Sequence, residues 1–530
     1  MTTRNTAFIV HPAKGGLDTT TPPTLLQADQ LVIADNCEYG IAGSRSKRLG
    51  TTRYNATQIT TGGVGDTITA LADFWRHGTC LEATQRFVCH AGRTLFKSDG
   101  DGVWTSIDTG AIGGTTFGAN GTPAHITIAQ GYAVFANGVD APHKWDQTTL
   151  STLSSGAPYF SFASYHLRRL WAGGYAAAPS SAWYTAAGDI TDFTGTDTGT
   201  LLFDEDDGDR LMGFSQPWQG RLYAFKGPNN GSVWNVSGTT VNSFTKTRMF
   251  SAAPCVSHRS IVTTPTDIYW ASRYGIHSLK ATDQFGDTAQ TLLSRPIQDT
   301  FQGLSPARLD QIIGFHHPTR NIVGWFCSQG GVNDLCLVYN YVIGAWSVWR
   351  FTGFSGASCM VAITPGTRKS RLYIGGYDGY VYAADQPIQA DENLDQAYRY
   401  QVRTPIYQRL GDTLTELHEK SFYSLTTFYS PVATPSTMDV TVWVDNFTTA
   451  TTLTGTKTVT LAFSGDLWDT SWVWDQSVWD GRGGGAFDEF IIEGRGRSVQ
   501  MDWTQNTVGG ELELLGYALR LSPGEPHAHE

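Results

Sequence analysis

GRLYAFKGPNNGSVWNVSG, residues 220–238, and SRLYIGGYDGYVYAAD, residues 370–385, share one pattern. In each stretch a strand with alternating side chains is followed by a turn containing Asn-Gly or Asp-Gly, and then by a second, aromatic strand. Glycine supplies the positive φ that such tight turns require, and these turns join antiparallel strands. Both stretches therefore predict β-hairpins.

The same pattern recurs between residues 61 and 390, in RFVCHAGRTLFKSDGDGVWTSI from Arg86, YAVFANGVDAPHKWD from Tyr132, RRLWAGGYAAAPSSAWYT from Arg168, TDIYWASRYGIHSLKA from Thr266 and RNIVGWFCSQGGVNDLCLVYN from Arg320. The central strands lie near residues 88, 134, 171, 223, 269, 323 and 373, which are 37 to 54 residues apart. One four-stranded propeller blade takes about 40 to 50 residues. The repeat predicts a β-propeller of about seven blades; two ordinary β-sandwiches are the alternative.

Composition favours an all-β protein of several parts. The chain has 530 residues, more than one hydrophobic core usually organises. Its 17 Trp, 22 Tyr and 26 Phe favour strands, because large flat side chains pack well between sheets. After residue 390 longer alternating strands replace the hairpins, which predicts a β-sandwich-like domain over 391–530. Residues 1–60 lack strong periodicity and are predicted to be an extended arm.

The N-terminus lacks the apolar run of roughly 7 to 15 residues that a secretory signal requires, so we expect synthesis in the cytoplasm and no stable membrane insertion. The seven cysteines show no CxxC pair, and buried reduced thiols are expected. Cys80 with Cys89, and Cys327 with Cys336, are each nine residues apart and could form disulfides across hairpins.

Negative charge is concentrated at the C-terminal end. Residues 391–530 contain 20 Asp plus Glu against 9 Lys plus Arg, whereas residues 1–390 contain 28 of each kind, which accounts for the net charge of −11. A protein that grips nucleic acid needs a basic surface to neutralise phosphates. We therefore expect any contact with DNA to be transient and non-specific.

Several motifs could carry chemistry, and each has a plainer structural interpretation. LLFDEDDGDR, residues 201–210, places acidic residues around a glycine but lacks the Glu that completes a calcium loop, so a solvated acidic turn is favoured. His316 and His317 are neighbours on a predicted strand and should point to opposite faces. SDGDGVW, residues 98–104, is similar to an Asp-box turn with altered offsets. No catalytic, metal or cofactor site is predicted from these motifs.

The stretch WDTSWVWDQSVWDGRGGG, residues 468–485, mixes indoles with carboxylates, as sugar-binding clefts and glycosidases do. A solvent-facing hairpin in which Asp residues alternate with docked Trp side chains is the favoured interpretation.

Three longer stretches carry a resemblance to a known family. They are GGLDTTTPPTLLQADQLVIADNCEYGIAGSRSKRLG at residues 15–50, GDRLMGFSQPWQGRLYAFKGPNNGSVWNVSG at residues 208–238 and APCVSHRSIVTTPTDIYWASRYGIHSLKA at residues 253–281. Together they resemble the tail-nozzle or tail-hub proteins of short-tailed bacteriophages. The resemblance implies a non-enzymatic virion component without cofactors, which forms a hexameric ring below the portal and adaptor, contacts tail fibre proteins, and holds packaged DNA until ejection. It transfers no catalytic residues.

In such a ring, carboxylates lining the channel would repel DNA phosphates and prevent sticking. We hypothesise that six acidic residues of the C-terminal domain contribute to this lining: Asp466, Asp469, Asp475, Asp480, Asp488 and Glu489. Two other functions stay open at this point, a glycan-binding receptor-recognition protein and a propeller glycosidase or sialidase. A sialidase needs clustered arginines at the propeller centre, for which Arg168, Arg169 and Arg221 are the candidates.

Overall fold

A computed structural model describes residues 6–10, 15–40, 43–60, 64–75, 85–107, 117–280, 292–364, 369–392, 396–409, 419–430, 432, 436–445, 452–461 and 486–523. The chain folds into two compact units. The sandwich unit consists of residues 1–51, 337–353 and 386–530, and the propeller unit consists of residues 52–336 and 354–385. The predicted boundaries at residues 60 and 390 differ from this division, because residues 337–353 and the first 51 residues join the C-terminal strands.

Short strands occupy the described part of the N-terminal segment: β1 (Thr6–Val10), β2 (Gly16–Leu17), β3 (Gln30–Leu31), β4 (Ile33–Asp35), β5 (Cys37–Tyr39), β6 (Arg45–Lys47) and β7 (Gly50–Arg53). β1 and β6 both pair antiparallel with a C-terminal strand that begins at Glu513. Rather than forming an arm of its own, this segment supplies strands to the sandwich unit. Its strands are too short for their periodicity to be recognised in the sequence.

The propeller unit contains seven antiparallel blades within its described residues, and the strands of each blade follow chain order from the innermost strand outward. Blade one consists of β8 (Ile68–Trp75), β9 (Gln85–Ala91), β10 (Thr94–Ser98) and β11 (Thr105–Ser106), and blade two of β12 (His125–Ala129), β13 (Tyr132–Ala136), β14 (His143–Trp145) and β15 (Leu150–Thr152). Blade three consists of β16 (Phe162–His166), β17 (Arg169–Gly173), β18 (Ser181–Tyr184) and β19 (Gly199–Leu202). Blade four consists of β20 (Arg210–Phe214), β21 (Leu222–Gly227), β22 (Ser232–Ser237) and β23 (Thr245–Ser251).

Blade five consists of β24 (Val262–Thr263), β25 (Ile268–Ala271) and β26 (Ile276–Ser278). Blade six consists of β27 (Ile313–His317), β28 (Ile322–Cys327) and the start of β29 (Leu335–Asn340). Blade seven consists of β31 (Gly356–Ile363), β32 (Ser370–Gly376) and β33 (Val381–Gln386). β30 (Ala345–Trp349) belongs to the sandwich unit. The helical segments among the described residues are a short α-helix (Gln298–Gln302) and 3-10 turns at His258–Ser260, Arg295–Ile297, Pro306–Gln311 and Pro318–Arg320. None of the described helices has the length and apolar character needed to span a bilayer.

The predicted hairpins are the second and third strands of the blades. All seven central positions inferred from the repeat lie in second strands, namely β9, β13, β17, β21, β25, β28 and β32. The Asp-Gly turn of blade seven has the expected geometry, since Gly379 has φ +81° and Gly376 N–H donates to Tyr380 O at 2.8 Å. The prediction of an all-β propeller is confirmed, and the alternative of two sandwiches for this region is wrong.

Apolar clusters fill the spaces between neighbouring blades, as the aromatic composition predicted. Phe74 of blade one packs against Trp145 of blade two, with ring centroids 5.7 Å apart. Phe225 of blade four packs against Trp270 of blade five, at 5.1 Å. Burying side chains of this size stabilises each blade junction by roughly 1.5–3 kcal/mol per side chain.

The propeller is closed by the residues that precede blade one. Tyr54 N–H donates to Val381 O at 2.7 Å, and Ile59 N–H donates to Gly379 O at 3.0 Å, so that this segment runs along the outer strand of blade seven. The first and last parts of the propeller sequence therefore share one blade, which fastens the circle of sheets.

The described part of the sandwich unit has two large sheets that face each other, in addition to the small parallel pair β2-β3. C-terminal strands complete them: β34 (Tyr400–Arg403), β35 (Lys420–Tyr429), β36 (Ser436–Val444), β37 (Thr452–Leu461), β38 (Ala486–Gly496), β39 (Val499–Gln505) and β40 (Glu513–Pro523). One sheet has the order β38-β35-β40-β6-β5, and the other includes β30-β4-β34-β39-β36-β37. Trp503 of β39 packs on Tyr517 of β40 at 4.9 Å and donates its indole N–H to Thr427 of β35 at 3.1 Å. The predicted sandwich-like domain is confirmed.

Candidate functional site in the propeller channel

The innermost strands of the seven blades surround a central cavity of about 580 Å³. β8, β12, β16, β20, β27 and β31 each contribute side chains, and blade five contributes the turn His258–Ser260 and Ile261 just before β24. A second cavity of about 450 Å³ is lined by blades two to five and by Asp310 and Gln311. Both cavities are lined by His125, His258 and Arg259.

Polar groups in the described propeller connect each blade to the next blade or, for blade one, to the segment that leads to blade two. We call these hydrogen bonds the inter-blade bonds. In order around the circle they are His90 Nε2 to Phe117 O (2.8 Å), Thr127 Oγ1 to Ala163 O (3.1 Å), Ser164 Oγ to Ser215 O (2.9 Å), Gln216 N–H to Thr263 Oγ1 (3.2 Å), Trp325 Nε1 to Ser260 O (3.0 Å), Cys359 Sγ to Gly314 O (3.6 Å) and Ser358 Oγ to Ile68 O (2.6 Å).

Arg259 connects three separate parts of the channel wall. Its Nη1 donates to Thr69 O of blade one and Ala357 O of blade seven, both at 3.3 Å, and its Nη2 donates to Gln311 Oε1 at 3.1 Å. Burial is the main cause that lowers the pKa of this guanidinium from its ordinary value. Its acceptors are neutral, so the positive charge of Arg259 is not cancelled by a bonded carboxylate.

Two histidines lie beside Arg259. The rings of His125 and His258 meet edge to face with centroids 4.4 Å apart, and His258 also stacks on Phe162 at 4.8 Å. Burial, with a smaller contribution from Arg259, lowers the pKa of His125 to about 4. Burial, His125 and Arg259 together hold the pKa of His258 well below its usual range. Both imidazoles are therefore neutral at pH 7.

The six acidic residues predicted to line a channel are not brought together by the described structure. Asp466, Asp469, Asp475 and Asp480 lie outside the described residues, as does the Trp-rich stretch 468–485. Asp488 and Glu489 lie on β38 of the sandwich unit. Lys457 Nζ donates to Asp488 Oδ1 at 2.6 Å and to the Glu489 carbonyl at 3.0 Å.

Two carboxylates of the acidic turn 201–210 make hydrogen bonds that stabilise blade four. Asp209 is buried and accepts three backbone N–H bonds, from Asn229 (2.7 Å), Asn230 (2.9 Å) and Gly231 (2.7 Å). Lys226 donates to Asp207 at 2.6 Å. The interpretation of a fully solvated turn is therefore wrong for Asp209. The described residues contain no group of three or more His, Cys, Asp or Glu side chains arranged to hold a metal ion.

The remaining candidates also have structural roles. His317 is buried and bonds Asp385 at 2.9 Å, while His316 is half-buried, so the two rings occupy opposite faces as predicted. Cys327 and Cys336 are buried free thiols, which leaves no disulfide between them; Cys80 lies outside the described residues. Of the three proposed sialidase arginines, none lines the cavity that contains Arg259.

Sequence reasoning missed His125, His258 and Arg259 as a group. His258 and Arg259 follow Ser257 inside the stretch 253–281, where they read as ordinary blade residues. His125 lies three blades earlier in the chain order. A repeat pattern locates the innermost strands, but it does not indicate which side chains meet at the axis.

Comparison with known proteins finds matches among solved structures only. No protein-family model matches the sequence, and no curated protein matches it. A Quinonprotein alcohol dehydrogenase-like protein from Bacteroides thetaiotaomicron is 12% identical, with 62% of this chain and 70% of that chain covered and a TM-score of 0.29. Regucalcin, a calcium-binding protein from Agrobacterium tumefaciens, is 10% identical, with 64% and 94% covered and a TM-score of 0.31. The propeller assignment therefore rests on the seven sheets of this chain.

Proposed function

We propose that this protein is a non-enzymatic scaffold of a short-tailed bacteriophage tail. In this role it assembles in the host cytoplasm and enters the virion as a hexameric nozzle or hub ring below the portal and adaptor. The ring conducts DNA, retains the packaged genome until ejection, and provides contacts for tail fibre proteins. The resemblance of residues 15–50, 208–238 and 253–281 supports this proposal.

The inter-blade bonds are the observation that carries the scaffold role. Side chains that could serve catalysis instead hold backbone carbonyls: Ser164 and Ser358 bond a neighbouring blade, and His90 bonds the segment that leads to blade two. An active site typically has titratable groups whose pKa values are tuned toward the pH of the reaction. Burial lowers the pKa values of His125 and His258, which keeps both rings neutral instead of poised for proton transfer near neutral pH.

The charge of the two units supports transient contact with DNA. The sandwich unit contains 24 acidic against 15 basic residues, and the propeller unit contains 24 against 22. Phosphates are repelled by such an acidic surface within about 8–10 Å, the screening distance at physiological salt. Asp488 and Glu489 remain hypothetical channel-lining residues; locating the six acidic residues on the outer wall of an assembled ring would rule out that lining.

An exposed apolar edge supports assembly into a ring. β38 is the outer strand of its sheet among the described strands, and Phe487 and Ile491 on one of its faces are 68% and 72% exposed. Unpaired strand edges and exposed apolar side chains are typical of surfaces that other chains cover. Ring closure requires contacts between two different surfaces of the same chain.

Native mass measurement of the purified protein tests the proposal. Six copies of the 57.8 kDa chain amount to about 347 kDa, and electron microscopy should show six-fold rings. Ile491→Asp should dissociate the ring, whereas Val508→Asp, at a site 46% exposed outside β38, should leave it intact. A monomer or trimer that binds host polysaccharide saturably contradicts the proposal in favour of receptor recognition, and release of reducing ends contradicts it in favour of a glycosidase.

A further inference from the structure

Arg259 keeps hydrogen-bonding capacity free inside the propeller channel. A guanidinium has five N–H groups, and the three bonds to Thr69, Ala357 and Gln311 use at most three of them. At least two N–H groups are left without a partner among the described residues. A cation removed from water without a bonded anion is costly, so an anion that reaches Arg259 gains a charge-assisted hydrogen bond.

His258 adds a second donor, because its tautomer follows from its partner. Phe214 N–H donates to His258 Nδ1 at 3.3 Å, so that Nδ1 carries the lone pair and the neutral ring has its proton on Nε2. His125 Nε2 likewise faces a carbonyl, Ala163 O at 3.1 Å, and must donate to it. The His258 Nε2–H group has no hydrogen-bond partner among the described residues.

Both cavities contain these donors. His258 and Arg259 are half-buried and line the 580 Å³ cavity as well as the 450 Å³ cavity. A small ligand in either cavity therefore meets the same two side chains. The volumes lie within the range of about 300–1,000 Å³ that is typical of ligand sites.

The other charged groups near Arg259 do not cancel its charge by direct contact. Asp310 lines the second cavity and accepts a hydrogen bond from Gln311 Nε2 at 3.2 Å, so that one glutamine lies between this carboxylate and Arg259. Arg308 donates to Tyr377 OH at 3.1 Å, and Arg210 also lines the second cavity.

We propose that the propeller channel binds a small oxyanion of the carboxylate or phosphate class between Arg259 and the Nε2–H group of His258. Both donors belong to residues that line the same two cavities, and the guanidinium is held in place by Thr69, Ala357 and Gln311. A planar fork of N–H groups matches the oxygens of a carboxylate or phosphate. This site goes beyond the scaffold role and does not depend on ring assembly.

Isothermal titration of the full chain with inorganic phosphate, and separately with acetate, tests the site at pH 7 in chloride buffer. We expect saturable binding of one anion per chain by at least one of the two probes. Absence of saturable binding by both probes overturns the proposal. A third titration uses a short single-stranded oligonucleotide; binding of the oligonucleotide without either small anion also overturns it and indicates a nucleic-acid surface instead.

Substitutions locate the anion. Arg259→Lys keeps the charge but loses the fork, and Arg259→Met loses both; we expect affinity to fall about tenfold or more in the order wild type, lysine, methionine. Arg221→Lys, at an exposed blade position, is the matched control and should bind as wild type does. If Arg259→Met does not fold, the lysine variant decides alone. Unchanged affinity in a folded Arg259 variant overturns the site.

Phosphate binding by a monomer supports the oxyanion site while contradicting the ring. A hexameric ring that binds neither phosphate nor acetate supports the ring and contradicts the oxyanion site. The two proposals therefore fail on different observations.

Discussion

Arg48 and Asp391 are 343 residues apart in the sequence and form a bidentate ion pair, with Nη1–Oδ1 at 3.0 Å and Nη2–Oδ2 at 2.6 Å. Both side chains are almost completely buried, at 1% and 0% exposure. Arg48 also donates to the Arg350 carbonyl at 3.0 Å, and Thr352 N–H donates to Asp391 at 2.9 Å. All three segments of the sandwich unit therefore meet at this pair.

Arg48→Met should destabilise the sandwich unit by about 3–5 kcal/mol, because it leaves the Asp391 carboxylate buried without its counter-charge. Chemical denaturation followed by tryptophan fluorescence measures the change. Lys457→Met, which breaks a pair one-third exposed, should cost less than about 1 kcal/mol. Equal losses in the two variants would contradict the role assigned to Arg48.

Asn55→Ala should weaken the closure of the propeller by about 1–3 kcal/mol. Asn55 Oδ1 accepts from Val381 N–H at 2.7 Å, and its Nδ2 donates to Gly379 O at 3.2 Å. The alanine removes the acceptor of the buried Val381 N–H, whereas Gly379 O keeps its bond from Ile59 N–H. Hydrogen exchange of β33 should accelerate. Asn230→Ala, at an exposed position, is the control. If β33 of Asn55→Ala stays as protected from exchange as in the wild type, Asn55 does not help to close the propeller.

Ser358→Ala should lower the free energy of unfolding of the propeller by about 1 kcal/mol, because it removes one inter-blade bond, that from Ser358 Oγ to Ile68 O. Thermal unfolding measures the loss. Ser155→Ala, at an exposed turn position, should leave the melting temperature unchanged. If the melting temperature of Ser358→Ala matches that of the wild type, this hydrogen bond does not stabilise the propeller.

His277 should make the propeller sensitive to acid. Its ring is 6% exposed and stacks on Trp270 at 5.2 Å, and burial lowers its pKa to about 4, from about 6.5 in the unfolded chain. Between these values the unfolded state binds the extra proton, so stability is present above pH 6.5 and is lost as the pH falls toward 4.

His277→Phe keeps an aromatic ring on Trp270 and removes the titration, so melting temperatures measured from pH 7 to pH 4 should fall less steeply than in wild type. Above pH 7 the two proteins should show the same pH dependence. Identical slopes over the acidic range would show that His277 does not titrate on unfolding.

Calcium should not stabilise the turn 201–210. Chelators and added Ca²⁺ should leave the melting temperature unchanged, whereas Asp209→Asn should cost roughly 1.5–3 kcal/mol, because the carboxylate oxygens accept three backbone N–H bonds. Asp206→Asn, at an exposed position of the same turn, should have little effect. A rise in melting temperature with Ca²⁺ that Asp209→Asn abolishes would identify a metal site.

Hairpins could be predicted because their causes are local. The Asp378-Gly379 turn and the strands around Tyr373 and Val381 are encoded within a few residues, and the same local pattern recurs in each blade. The candidate site could not be predicted in this way. Arg259 reaches Thr69 and Ala357, which are 190 and 98 residues away, and its environment exists only after the first and last blades have met.

The sequence by itself determined the all-β character, the number of hairpin repeats and the acidic balance of the C-terminal part, since periodicity and composition are properties of short segments. Tertiary structure decided that residues 1–51 belong to the sandwich unit, that Arg48 pairs with Asp391, and that His258 and Arg259 face the channel axis. These contacts join residues far apart in the chain, and their stability comes from burial and charge pairing, which no local pattern specifies.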